Sequence, residues 1–330
     1  MIKCVIWDLD NTLFDGIYLE SPDQRPCADR DAVGVLREFA ARGILNAVAS
    51  RNPPEAADYA AELAGTEFAS AQCAWAPKSA AIGLIMTDLG LTRDEVAFVD
   101  DDPLERGEVG FMLPGVLVLA PEDLTDAATW PQFSPPAITD EARRRGELYA
   151  NRKIRQAEAD AFGGSPGEFL RYCGTRVEIA EATAADWPRL HELSVRTHQF
   201  NSSGVPADAG TFAGDRVIAV RLSDKFGDDG LVGACVIDES EGTWQVPLLM
   251  MSCRALGRGV IDALLAWLRR AACQAGARTV VVPCVINDRN VPLRIALTSA
   301  GFRADERSEG KAIYRAASGQ AELPCWVAER

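Results

Sequence analysis

Asp8-Leu9-Asp10-Asn11-Thr12 follows directly on an apolar run, Cys4 to Trp7. Two carboxylates at this spacing can divide a phosphoryl transfer between them: one attacks phosphorus or holds a metal, while the other moves a proton to and from the leaving group. Three further groups suit the same chemistry. Ser50-Arg51-Asn52 closes a second apolar run, Lys78 lies in Trp75-Ala76-Pro77-Lys78-Ser79, and Asp100-Asp101-Asp102 closes a third run. Hard oxygen ligands from Asp8, Asp10 and Asp100 or Asp101 suit Mg²⁺, which together with Lys78 would neutralise a transferring phosphoryl group. Thr12, Ser50, Arg51, Asn52 and Lys78 are expected to contact substrate phosphate. Any one of these acidic residues could merely cap a helix. Four segments carrying complementary groups in order ask for more than capping.

These groups need strands that end side by side. Buried parallel strands are predicted at Cys4 to Trp7, Leu45 to Ala49, Val96 to Val99 and Val116 to Leu119, with helices at Ala32 to Arg42, before Gly43, and at Glu55 to Leu63, after Pro53-Pro54. Strands alternating with helices imply a doubly wound parallel sheet, which presents ligands to the carboxyl ends of its strands. Little chain separates Asp10 from the first helix or Ser50 from Lys78, so a large cap over the site is not expected. A site without its own lid either takes a macromolecule or borrows cover.

A Pro-rich stretch at Trp130 to Pro136 closes this unit, and a charged helical segment runs from Thr139 to about Phe162. Residues 1–138 are read as the phosphotransferase domain, 139–175 as a helical linker and 176–330 as a second α/β domain with a mainly antiparallel start. Strands are predicted there at Val217 to Leu222, Leu231 to Ile237 and Trp244 to Met251. A helix follows from Val260 to Ala275, then a strand at Thr279 to Cys284 and a helix from Val291 to Ala300.

The 330 residues suffice for two cores, and the formal net charge of −14 disfavours nucleic acid and anionic membranes as partners. No stretch approaches a membrane span, and acidic residues come too early for a signal peptide, so a cytoplasmic protein is expected. Nine scattered cysteines without a C-x-x-C pair, beside only His191 and His198, argue against zinc sites and disulfide frameworks. His191 falls in a helical run and carries no role.

The motif D-x-D-x-T at Asp8, Asp10 and Thr12, with Ser50, Lys78 and the acidic pair Asp100-Asp101, resembles the haloacid dehalogenase (HAD) superfamily. That resemblance implies Asp8 as the nucleophile, Asp10 as general acid/base, and a HAD-like doubly wound fold dependent on Mg²⁺. Lys3 to Leu13, Asp15-Gly16, Ala49-Ser50-Arg51-Asn52, Phe98 to Asp101, Gln199-Phe200-Asn201, Asp224 to Asp228 and Ser252 to Val260 are more specifically similar to FkbH-like proteins of polyketide pathways. This resemblance implies a glyceryl transferase/phosphatase that takes glyceryl from 1,3-bisphosphoglycerate, removes phosphate and loads an acyl carrier protein.

The acyl step needs a thiol. Some relatives carry a cysteine just before the second-strand serine, where this chain has Ala49, which leaves Cys4 and Cys253. Cys4 lies about 13 Å along its strand from Asp8, at about 3.3 Å per residue, which suits core packing. Cys253 is the better placed, with His198 as a group that could activate it or orient a thioester. The order of strands, glycine turn and long helix resembles N-acetyltransferase (GNAT-like) folds. Arg254, Gly257, Arg258 and Gly259 would there receive the phosphate of a phosphopantetheine arm at a helix N-terminus. Arg143, Arg144, Arg145, Arg152, Lys153 and Arg155 offer a basic patch for an acidic carrier. The rival reading is a Mg²⁺-dependent phosphatase of another small substrate without acyl transfer, and a further one is a non-enzymatic scaffold.

Overall fold

A computed structural model of the chain describes residues 1–20, 25–135, 138–207, 210, 212, 215–240, 242–308, 310–324 and 327–329. The chain divides into two compact units, Met1–Lys153 and Ile154–Arg330.

The first unit is built on five parallel strands, β1 Cys4–Trp7, β2 Leu45–Ser50, β3 Ser70–Cys73, β4 Val96–Val99 and β5 Leu117–Leu119, in the order β3-β2-β1-β4-β5. The helices that matter here are α1 Arg30–Ala41, α2 Glu55–Ala64, α3 Lys78–Leu89 and α4 Pro103–Met112. Side chains of β1 alternate between two apolar layers. Val5 and Trp7 pack with Val33, Leu36 and Phe39 of α1 and with Ala56 and Ala60 of α2, whereas Cys4 and Ile6 pack with Ile82 and Ile85 of α3. A sheet buried on both faces explains why its strands read as continuous apolar runs, and it is the doubly wound sheet expected. Cys4 is wholly buried and burial pushes its thiol up, in keeping with a packing role.

Local signals set the helix ends. Asp29 caps α1 through a 2.8 Å bond accepted from Ala32 N–H, and Asp102 caps α4 by accepting from Leu104 N–H with Pro103 in the first turn. Between Asp10 and α1 the described residues form a small hairpin, Phe14–Asp15 against Cys27–Ala28.

The segment expected as a linker is shared out residue by residue. Its first part packs on the parallel sheet: Gly43, with φ +73°, leaves room for Ala142, whose carbonyl oxygen would lie 2.8 Å from an added Cβ. Arg145 Nη1 donates to Gly43 O at 2.7 Å, and Lys153 Nζ to Phe68 O at 3.2 Å. In the second unit, Arg155 Nε donates to Asp224 Oδ2 at 2.7 Å. These three cations, Arg145, Lys153 and Arg155, all lie on α5, Arg145–Ala161.

The second unit holds α6 Pro166–Tyr172, β6 Arg176–Glu181, α7 Trp187–Arg196, β7 Arg216–Asp224, β8 Gly227–Ser240, β9 Thr243–Met251, α8 Val260–Gln274, β10 Thr279–Val285, α9 Val291–Ser299, β11 Arg303–Ser308, β12 Lys311–Ala317 and β13 Val327–Glu329. The eight strands order as β11-β12-β10-β9-β8-β7-β6-β13, antiparallel apart from β9/β10 and β6/β13. Side chains of α8 and α9 cover one face, and Leu190 and Leu193 of α7 cover the other. The β9/β10 pairing runs only from Thr243/Thr279 to Gln245/Val281. A register shift against β8 then kinks β9 at Val246-Pro247.

Candidate active site

Asp8 leaves β1, Ser50 ends β2, Lys78 opens α3, and Asp100 and Asp101 follow β4. Because β1 lies between β2 and β4, with Trp7 opposite both Val48 and Val99, these residues meet at one carboxyl edge. Lys78 Nζ stands 2.5 Å from Asp8 Oδ1, 3.0 Å from Asp100 Oδ2 and 3.0 Å from Glu105 Oε2. Glu105, from the first turn of α4, also pairs with Arg51 at 2.9 Å. Glu108, a turn further on, accepts from both the backbone N–H and the hydroxyl of Ser79 and so anchors the start of α3 beside Lys78.

One oxygen each from Asp8, Asp100 and Asp101 lies within 4.8 Å of the others. The Asp10 carboxylate, expected to join them, is held elsewhere: Oδ1 accepts from Tyr18 N–H and Oδ2 from Asn52 Nδ2, each at 2.9 Å. The carboxylates that could hold a metal through their side chains are therefore Asp8, Asp100 and Asp101, while a backbone and a side-chain donor hold the Asp10 carboxylate apart from them. Thr12, expected to touch phosphate, is 1% exposed, and its hydroxyl accepts from Asp101 N–H at 3.2 Å. It ties the D-x-D-x-T loop to the acidic loop after β4. Arg106 steadies that loop by donating to Asp100 O at 2.6 Å. Asn11 holds a left-handed turn at φ +50° and donates its N–H to Gly16 O.

The electrostatics show a surplus of negative charge. Burial lifts the Asp8 carboxyl above its ordinary range against the pull of Lys78 and hydrogen bonds from Leu9 N–H and the Ser50 hydroxyl. Burial, with the like charge of Asp8, pushes Asp100 up to about 7 although Lys78 and Asp102 N–H favour its ionised form. Lys78 itself would be lowered by burial, but attraction to Asp8, Asp100 and Glu105 outweighs that and raises it. A single buried cation leaves the cluster under-neutralised, so an oxygen-seeking divalent cation fits the three aspartates on charge and on ligand type.

Cys73 is a thiol that sequence reasoning missed. It ends β3 directly opposite Ser50, it is half-buried, and Asp8 and Lys78 act on it electrostatically. Burial pushes it up to about 11, with a backbone hydrogen bond from Ala57 in the first turn of α2 opposing. The strand Ser-Ala-Gln-Cys is too polar to read as a buried run; its position after α2 was the available signal.

In the second unit, Cys253 opens a short turn after β9, and His198 is exposed in the turn before Phe200. Gly257 and Gly259 take left-handed backbone at φ +72° and +68°, and Gly259 begins α8. Arg254 is buried. Arg258, expected at a carrier phosphate, is instead enclosed: Nη2 is 2.6 Å from Asp224 Oδ2, Nη1 bonds Asp229, and the side chain is 4% exposed. Arg155 shares both carboxylates, so the pair of arginines and pair of aspartates form a buried network. With Arg145 also buried and Arg144 paired to Glu147, the six cations of the expected docking patch do not form one exposed face.

A cavity of about 720 Å³ borders Leu45 and Asn46, at the opposite end of β2 from Ser50. One of about 680 Å³ lies where β9 and β10 separate, bordered by Ser202, Pro247, Pro283 and Lys311.

Fold and site together define a two-unit α/β protein with a lysine-centred acidic cluster at the carboxyl edge of its parallel sheet. No protein-family model matches the sequence, and no curated protein matches it. Among solved structures it is similar to the N-terminal, phosphatase-domain-containing part of a Bacteroides fragilis protein complexed with Mg, at 26% identity over 38% of this chain and 39% of that one, TM-score 0.35. The chain thus covers 39% of that relative's length. It is also similar to the cobalt-bound deoxy-D-mannose-octulosonate 8-phosphate phosphatase of Haemophilus influenzae, at 21% identity over 36% and 68% of the two chains, TM-score 0.31. A GNAT-family acetyltransferase of Bacillus anthracis aligns at 16% identity over 43% and 95%, TM-score 0.35. No helix among the described residues is long and apolar enough to cross a membrane.

Proposed function

We propose that this chain is a Mg²⁺-dependent, HAD-type phosphatase joined to a GNAT-like acyl-transfer unit, working as an FkbH-like glyceryl transferase/phosphatase. It would take glyceryl from 1,3-bisphosphoglycerate, remove phosphate and deliver the acyl group to the phosphopantetheine arm of an acyl carrier protein in the cytoplasm, in polyketide assembly. The observation that carries the phosphatase half is the convergence of Asp8, Ser50, Lys78, Asp100 and Asp101 on one sheet edge from positions spread over the first unit.

The two ends of such a substrate make different demands. An acyl phosphate is reactive enough for a thiol alone: the S–C bond forms, the C–O bond to phosphate breaks, and the thiol proton leaves with the phosphate. The alkyl phosphate at the other end needs help. The Asp8 oxygen not held by Lys78 attacks phosphorus as the P–O bond to the substrate breaks, and Asp10 gives that oxygen a proton. Water then attacks phosphorus, the bond to Asp8 breaks, and Asp10 takes the proton back. Ser50 and Lys78 hold the phosphoryl oxygens. Mg²⁺ on Asp8, Asp100 and Asp101 would supply Lewis-acid neutralisation of the phosphoryl charge.

For the thiol, Cys73 stands one strand from Ser50, about 4.8 Å in a sheet. That lies within the length of a three-carbon bisphosphate, and Cys253 is the alternative in the second unit. A plain Mg²⁺-dependent phosphatase is the second reading, favoured by Arg258, whose guanidinium is already engaged by two aspartates. Intact-mass measurement after mixing with 1,3-bisphosphoglycerate and Mg²⁺, with and without carrier protein, separates the two. A glyceryl adduct that passes to the carrier supports the first reading. Phosphate release without an adduct on either protein supports the second, and release at the normal rate by Asp8→Asn excludes both.

A further inference from the structure

The Asn52 amide lies between two strand ends. Its Nδ2 donates to Asp10 Oδ2 at 2.9 Å and to Ser50 Oγ at 3.1 Å, and the Ser50 hydroxyl in turn donates to Asp8. One planar group thus links Asp10, in the loop after β1, to Ser50, the last residue of β2, which touches Asp8. Asn52 is 2% exposed, and its Oδ1 is buried with no hydrogen-bond partner among the described residues. A buried orphan acceptor costs the free energy of an unmade hydrogen bond. Turning the amide over would relieve nothing, since it would set that oxygen against the Asp10 carboxylate.

From these contacts we infer that Asn52 is the positioning residue for Asp10 rather than a phosphate contact. The second tether on Asp10, Tyr18 N–H, is itself anchored, because the Tyr18 ring packs with Phe14 and with Tyr59 of α2 at centroid distances of 6.0 and 5.9 Å. Asp10 is therefore clamped from the hairpin on one oxygen and from β2 on the other. Each carboxyl oxygen keeps a second site for the proton it exchanges with the substrate. In the first transfer, which kcat/KM reads, the clamp matters where the departing oxygen needs that proton, as in an alkyl phosphate, and not for an acyl phosphate, whose carboxylate leaves unaided; the later water step is common to both substrates.

The inference rests on the phosphatase reading, and the leaving group supplies its test. For Asn52→Ala and the near-isosteric Asn52→Leu, kcat/KM on 3-phosphoglycerate should fall on the order of 10–100-fold, part of the usual gain from general acid catalysis. On acetyl phosphate the fall should stay under about 3-fold. Added to Asp10→Asn, either change should cost little more. Equal losses on both substrates, or full additivity with Asp10→Asn, would overturn the assignment. If the wild type releases phosphate from neither substrate, the phosphatase reading fails, and a crystal structure of Asn52→Leu still decides the clamp. An Asp10 carboxyl left in place overturns it, and one turned away from its present position supports it.

Discussion

Lys78 Nζ lies 2.5 Å from Asp8 Oδ1 while sharing its remaining donors between Asp100 and Glu105. Asp8, the proposed nucleophile, is thus held by a cation shared with Asp100, a proposed metal ligand, and with Glu105, so in the proposed reaction phosphate binding, metal binding and attack would depend on one ammonium.

Lys78→Met leaves Asp8, Asp100 and Glu105 buried without their common counter-ion. Breaking a buried ion pair from one side costs roughly 3–5 kcal/mol. The loss should be pH-dependent: without Lys78 the folded-state Asp8 and Asp100 carboxyls rise further above their unfolded values. Stability is then retained below the unfolded values and lost as pH climbs through the folded ones. Urea melts at pH 5 and pH 8 should show the larger deficit at pH 8, and an equal deficit at both would contradict this account.

Metal binding should carry the same sign. Asp100 sits at about 7 against an ordinary 3.8, so its share of stability is present at low pH and declines as pH rises through about 7 in the metal-free protein. Mg²⁺ would bind the ionised cluster and displace its proton. The Mg²⁺-induced rise in Tm should therefore be larger at pH 8 than at pH 5.5 and should shrink in Asp101→Asn, as read by differential scanning fluorimetry.

Asn11 between the two aspartates occupies the left-handed region at φ +50°. Glycine or asparagine tolerates this, whereas a β-branched residue meets a penalty of roughly 1–2 kcal/mol. Asn11→Gly should be near neutral and Asn11→Val destabilising by about that amount in denaturant unfolding, with the Asp8-Asp10 spacing disturbed and phosphate release reduced.

Cys73 should carry the glyceryl adduct. Mass spectrometry after 1,3-bisphosphoglycerate should show a modified peptide containing Cys73, absent in Cys73→Ala and retained in Cys253→Ala. The reverse pattern would move the acyl step to the second unit. Because burial holds this thiol up at about 11, adduct formation should accelerate markedly as pH rises from 7 to 9.

Arg258 should behave as a structural residue. Asp224 is fully buried and shared by Arg258 and Arg155, so Arg258→Ala strands a carboxylate in the interior and should cost about 3–5 kcal/mol in the second unit's transition. Removing both Arg258 and Asp229 should cost less than the two single losses summed, which a double-mutant cycle measures. Near-zero coupling would point back to a ligand role.

Residue pattern alone was enough for the doubly wound unit, because strands buried on both faces must be apolar throughout, as Cys4–Trp7 and Val96–Val99 are. It was also enough for Asp8, Ser50, Lys78 and the Asp100-Asp101 pair, since chemistry at strand ends leaves polar groups abutting apolar runs. It did not reveal β3, whose Ser-Ala-Gln-Cys is an edge strand with little apolar signal, nor Cys73 at its end. Side-chain direction was decided only by tertiary packing. Asp10 and Thr12 stand in the same motif as Asp8, yet donors from Tyr18 and Asn52 hold the Asp10 carboxylate apart from the Asp8-Asp100-Asp101 cluster, and Asp101 N–H engages the Thr12 hydroxyl. Arg258 looked like a ligand cation until two aspartates, one far along β7, enclosed it. A motif specifies which groups are near along the chain, but hydrogen-bond partners arrive from other strands, and they settle which of those groups can reach the substrate.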